Sequence, residues 1–224
     1  MSFPKLKSPD DVIKLVEDVG FVPFMRNEIL GFSIEEAIDK KYWFPDEGEG
    51  VWEWKGPIIR SSGCAYGKLM RNKAVFVSPA WYLDLANVRR DGYDFDARFD
   101  DGLTSLRDKR VYDTLEKSGP MLSKDLKEFS GYGRDGFKGF DPVVTRLQMQ
   151  GYVLISDFVY PLGRDGRPYG WGLTQYDTPE RLFGPDFSDH VYDREPEESR
   201  ERIVEHLCRL FPDNSVKTIR RLVG

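Results

Sequence analysis

Two glutamines one residue apart, Gln148 and Gln150, stand in the run RLQMQGYVLISDF just before an apolar stretch. On a strand the two amides would point the same way and could form a paired-amide catalytic site. On a helix, at about 100° per residue, they fall on opposite flanks, about 200° apart. The helical reading places Phe140, Val143, Val144 and Leu147 on one buried face, with Pro142, Thr145, Arg146 and Met149 opposite. A convergent amide pair is therefore rejected, and no catalytic residue is assigned. What survives is groove recognition, in which glutamine can match adenine through two hydrogen bonds. Thr145, Arg146 and Gln148 are the expected base readers. Arg164 and Arg167 at a hairpin tip are expected on phosphate or in the minor groove, and Lys138 and Arg134 in the loop before the helix on the phosphate backbone.

Other chemistry is thinly provided. His190 and His206 are the two histidines, and Cys64 and Cys208 are far apart, so no zinc site is expected. The acidic stretch DGYDFDARFDDG (91–102) lacks the glycine and closing glutamate of a calcium loop. No phosphate-binding or dinucleotide fingerprint occurs, and no cofactor is expected. The net charge is −5, which excludes a general polyanion binder but leaves room for one local basic face. Residues 55–90 supply it, with Lys55, Arg60, Lys68, Arg71, Lys73, Arg89 and Arg90 interleaved with aromatics and opposed by Asp84 alone. Cations beside Trp52, Trp54, Tyr66 and Trp81 suit nucleic acid. The plainer reading makes those rings core and pairs Arg89 and Arg90 with Asp91, Asp94 and Asp96.

The elements that would position these residues divide the chain into three. In residues 1–104, Ser8 with Pro9 and Asp11 opens a helix, and Ser33 with Glu36 has capping-box spacing. The segment YWFPDEGEGVWEWK (42–55) reads as irregular, Ala74–Val77 as a strand and 81–88 as a helix. A boundary falls in the acidic stretch. In residues 105–184, Ser105 and Ser123 each cap a helix, the second with Leu126 and Phe129 inward, and a third helix spans 141–150. Two strands around Gly163–Gly166 follow, because Asp-Gly suits the positive φ of a hairpin turn. Three short helices and a hairpin make a winged helix-turn-helix. In residues 185–224, a helix after Pro196 carries Ile203, Val204, Leu207, Leu210 and Phe211 as an apolar stripe, and a short helix starts at Ser215. The stripe either packs back on the chain or forms a homodimer interface.

Several longer motifs carry a family likeness: WEWKG (52–56), YGK (66–68), NVRRDGYDFDARFDDG (87–102), RLQMQGYV (146–153) and YGWGLTQYDTPERLFG (169–184). Over about Gly20–Gly184 the chain resembles the bacterial AlkZ-related proteins. These are named for a distant similarity to the AlkZ/YcaQ DNA glycosylases, which are built from winged helices and release alkylated or crosslinked bases. The resemblance implies a DNA-related role and a second, degraded winged helix within 1–104. It carries over no catalytic residue. The glycosylases use a Gln-x-Gln or Gln-x-Asp pair near the N-terminus, where residues 1–60 here contain no glutamine.

The expectation is an α+β protein, cytoplasmic because no apolar span or secretion signal is evident. Its leading function is duplex DNA binding. Base excision from alkylated DNA and a non-enzymatic protein-interaction module are the alternatives.

Overall fold

Ser8 begins the first helix, α1 (Pro9–Val19), as its spacing requires: its hydroxyl accepts from the Asp11 amide and Asp11 accepts from the Ser8 amide. The computed structural model describes residues 2–224 except Glu47, Arg134, Asp165, Arg167, Pro168, Tyr169 and Trp171. Strands β1 (Phe21–Pro23), β2 (Ala65–Met70) and β3 (Lys73–Val77) form an antiparallel sheet in the order β1-β3-β2. Between β1 and β2 lie α2 (Ile34–Ala37), a 3-10 turn at Lys40–Tyr42 and α3 (Val51–Ser62). The start of α3 occupies ground expected to be irregular. Burial of Val51, Trp54, Ile58 and Ile59 outweighs the low helix propensity of Gly56 and Pro57.

After β3 come α4 (Pro79–Arg90) and α5 (Phe95–Asp100). The acidic stretch is thus a helix start and not an open loop, with the Asp94 carboxylate accepting from the Ala97 amide at 2.7 Å. Next are α6 (Leu106–Ser118), β4 (Met121–Leu122), α7 (Ser123–Phe129), α8 (Phe140–Met149), β5 (Leu154–Val159) and β6 (Leu173–Asp177). This is the helix–helix–helix–hairpin order read from the sequence, with β4 added to give a second antiparallel sheet, β4-β6-β5. One inward residue was misassigned: Leu126 is buried, whereas Phe129 is 71% exposed. The chain ends in α9 (Pro179–Phe183), α10 (Pro185–His190), α11 (Pro196–Leu210) and α12 (Val216–Val223). The protein is α+β.

Two apolar clusters hold these elements. The smaller unites Phe95, Val111, Leu115, Leu126, Val144, Leu147 and Tyr152 from α5, α6, α7, α8 and the turn after it. The larger joins the β1-β3-β2 sheet and its helices to Ile203, Val204, Leu207, Phe211 and Ile219 of the C-terminal helices. The apolar stripe of α11 is therefore covered by α4 and the N-terminal segment, with the Phe211 and Phe32 rings 4.5 Å apart. Of the two readings of this stripe, packing back on the chain is the one the core shows, so it is not a free surface for a homodimer. Polar ties fix the same join, the Asn87 amide donating to the Ser199 hydroxyl at 3.0 Å and that hydroxyl donating to Asp84 at 2.9 Å. Among the described residues, no helix is long and apolar enough to cross a membrane.

Candidate nucleic-acid interface

Helix α8 buries Phe140, Val143, Val144 and Leu147 as its periodicity demands, but it also buries Gln148. The reason lies across the interface. Gly67 on β2 has no side chain, and a Cβ there would stand 2.7 Å from Gln148 Oε1. The glutamine fills that gap: Oε1 accepts from the Lys68 amide at 2.9 Å, and Nε2 donates to the Val144 carbonyl at 3.3 Å. Gln148 is only 2% exposed. Its expected place among the base readers is thus corrected, since an amide inside the protein cannot meet a base edge. Gln150, one residue past the helix, lines a separate pocket with Asp108 and Arg146, in which Gln148 has no part.

Thr145 and Arg146 remain at the surface, each with an internal partner. The Lys68 ammonium donates to Thr145 Oγ1 at 3.1 Å. Arg146 donates from Nε and Nη2 to Asp108 Oδ1 at 2.9 and 2.6 Å. Asp108 is buried and also caps α6, accepting from the amide and hydroxyl of Ser105. That fixed carboxylate orients the arginine, whose side chain keeps 44% exposure. A cleft of about 590 Å³ opens beside it, lined by Lys68, Asn72, Asp141, Pro142, Thr145 and Met149.

The facing wall is the β2–β3 hairpin. Met70 pairs with Lys73, leaving Arg71 and Asn72 as a two-residue turn, and both have positive φ (48° and 59°). That is the backbone of a type I′ hairpin, whose twist matches the strands. It presents the Asn72 amide to Met149 Sδ at 3.4 Å. Arg71 pairs with Glu28 at 3.0 Å and donates to the Arg221 carbonyl at 3.4 Å. Lys68 and Arg146, the latter paired with Asp108, thus border one cleft together with Asp141, and Arg71, paired with Glu28, stands on the adjoining hairpin turn. Elsewhere in 55–90, Arg90 is buried, donates to the Gly151 carbonyl at 2.9 Å and pairs with Glu180 at 2.7 Å. Arg89 donates to the Leu69 carbonyl. The expected pairing of these arginines with Asp91, Asp94 and Asp96 does not form, since both point inward. Trp54 and Tyr66 are core, as the plainer reading had it.

The other expected contacts lie apart. Lys138 is exposed and lines a separate cleft of about 550 Å³ with Lys124, Lys127, Glu128, Tyr132 and Gly133. Arg164 is exposed in the turn beyond β5, while Arg167 and Arg134 lie outside the described residues. Among the described residues, no group of three or more His, Cys, Asp or Glu side chains is placed to hold a metal ion. Sequence reasoning missed the Arg71-Asn72 turn, because its signal rests on left-handed backbone at two non-glycine residues.

A family model described as AlkZ related matches residues 6–224. The chain belongs to the AlkZ-related family. The match extends past the motifs quoted above to the C-terminal helices, in keeping with their burial against α4 in one core. No curated protein and no solved structure matches this AlkZ-related chain.

Proposed function

We propose that this protein binds duplex DNA through a winged helix-turn-helix comprising α6, α7, α8 and the β5–β6 hairpin, assisted by the β2–β3 hairpin. The observation that carries this reading is the convergence of Lys68 of β2 and Arg146 of α8 on one cleft, with Arg71 on the adjoining turn. A preoriented guanidinium beside two further cations suits consecutive phosphates. Family membership supports a DNA-related role. The role of α8 differs from that of a helix inserted alone into the major groove. Its Gln148 flank is occupied by β2, so only the Thr145–Arg146 edge meets the duplex, and backbone contacts dominate over base reading. Lys124, Lys127 and Lys138 extend the phosphate track on the far side of α7, and Arg164 at the wing supplies its end.

Titration of a labelled duplex at low salt tests this. Arg71→Ala and Lys68→Ala are expected each to weaken binding several-fold for any sequence, whereas Gln148→Ala leaves affinity unchanged in folded protein. Undiminished binding by the Lys68→Ala/Arg71→Ala double variant contradicts the proposed surface. Base excision from alkylated duplex is a separate activity that needs its own machinery. Both ends of the Gln148 amide are already engaged by the scaffold, so Gln148 does not supply it.

A further inference from the structure

On the other side of the β2–β3 hairpin lies an open cleft of about 560 Å³, within the size range of small-molecule sites. Its floor is aromatic and apolar, made by Trp43, Trp52 and Ile38. Trp43 and Trp52 stand edge to face at 5.6 Å, and Phe24 braces both from behind at 5.7 and 5.3 Å. Phe44 is different: it lies at the mouth and is 73% exposed. The carboxylates on the rim are already engaged, Glu36 by the Gly31 amide and the Ser33 hydroxyl. Glu35 accepts from the Arg26 amide at 2.9 Å and faces its guanidinium at 3.8 Å, and Asp39 pairs with Lys5 at 3.1 Å. One cation stands at the side nearest the hairpin turn, where the Lys73 ammonium donates to the Arg26 carbonyl.

These features specify a ligand chemistry. Rigid rings with one solvent-exposed face favour a flat, polarisable partner. A rim with engaged carboxylates favours a neutral ring with a polar edge over a charged one. The Lys73 and Lys40 ammoniums at the margin favour an anionic group attached to that ring. A nucleotide has all three parts, and ring stacking accepts every base because every base has a π-face.

We infer that the Trp43–Phe44–Trp52 cleft binds an unstacked base of single-stranded nucleic acid, with the attached phosphate toward Lys73. The inference rests on the nucleic-acid reading for its natural ligand, but the cleft's own affinity does not need duplex binding. The Arg71-Asn72 turn separates the two sites, so a strand leaving a duplex on the α8 side would reach the cleft by crossing this hairpin.

The test uses the full chain and adenosine 5′-monophosphate, followed by tryptophan fluorescence, with ribose 5-phosphate as the baseless control. The expected result is saturable quenching at millimolar nucleotide and none with ribose 5-phosphate. Phe44→Ala should weaken nucleotide binding about tenfold and Phe44→Tyr should restore it; at an exposed position, neither disturbs the core. Equal response to both ligands, or unchanged affinity in Phe44→Ala, overturns the inference. Absence of duplex binding alongside intact nucleotide binding would refute the proposed function and leave this cleft assigned. The converse would refute the cleft alone.

Discussion

Lys55 shows how far a single side chain can depart from its ordinary chemistry in this fold. Its ammonium lies over the rings of Phe158, Trp52 and Phe24, at 4.3, 4.8 and 5.7 Å. Burial there pulls its pKa down to about 8, against a smaller opposing pull from Glu53. The unfolded chain holds that proton up to its ordinary value of 10.5, so between the two values the unfolded state binds more protons. Folding stability attributable to Lys55 therefore rises with pH from about 8 upward. Urea melts of wild type and Lys55→Met at pH 7.5 and 9.5 check this, since the wild type should gain relative to the variant at the higher pH. An equal difference at both pH values would contradict the assignment. Gln148 teaches a complementary lesson. Its place on the helix flank was legible in the 100° periodicity, but its burial was not, because the cause is a missing side chain at Gly67, 81 residues earlier in the chain.

At the scale of elements, four helix starts were legible from the serine that caps them, whereas Asp94 caps α5 inside a stretch read as loop, and Ser123, read as a cap, is the first residue of α7 and caps nothing. Ser8, Ser33, Ser105 and Ser215 each accept from an amide three residues on. Elements defined by tertiary burial were not. Helix α3 begins at Gly50 with no side-chain cap from that residue, and its glycine and proline read as a loop. The aromatic cleft was invisible for the same reason, since its walls come from segments read as irregular. Asp108 ties two elements together: it caps α6 and anchors Arg146 of α8. Asp108→Ala is expected to destabilise the protein by about 2 kcal/mol, from a lost cap and a lost charged hydrogen bond. It should also weaken duplex binding by releasing Arg146 from its fixed orientation. Thermal melts and anisotropy on the same preparation check both effects, and a loss below about 0.5 kcal/mol would mean that the cap contributes little.

Across the whole molecule, the first and last segments of the chain share one core. The order of elements in 105–184 could be read from the sequence, but the partner of the α11 stripe could not, since periodicity marks an apolar face without naming what covers it. Phe3, Phe32 and Phe211 meet in one ring cluster, with centroids 4.5 to 6.3 Å apart. Truncation after Gly184 should therefore expose the N-terminal core and give an aggregating or partly unfolded product, seen as lost cooperativity in urea. A truncated chain that melts as sharply as the full one would show that α11 is dispensable. The same join lets the Arg71 guanidinium donate to the Arg221 backbone carbonyl, tying the hairpin turn to the C-terminal helix.

The surface of Lys68, Arg71 and Arg146 is the centre of the account, and the salt dependence of duplex binding tests it most directly. Each cation meeting a phosphate contributes roughly −0.9 to the log–log slope of observed affinity against salt. The slope should therefore become shallower by about 2 in the Lys68→Ala/Arg71→Ala variant. No binding at about 50 µM protein in low salt, or binding indifferent to salt, would contradict the claim that this surface holds DNA.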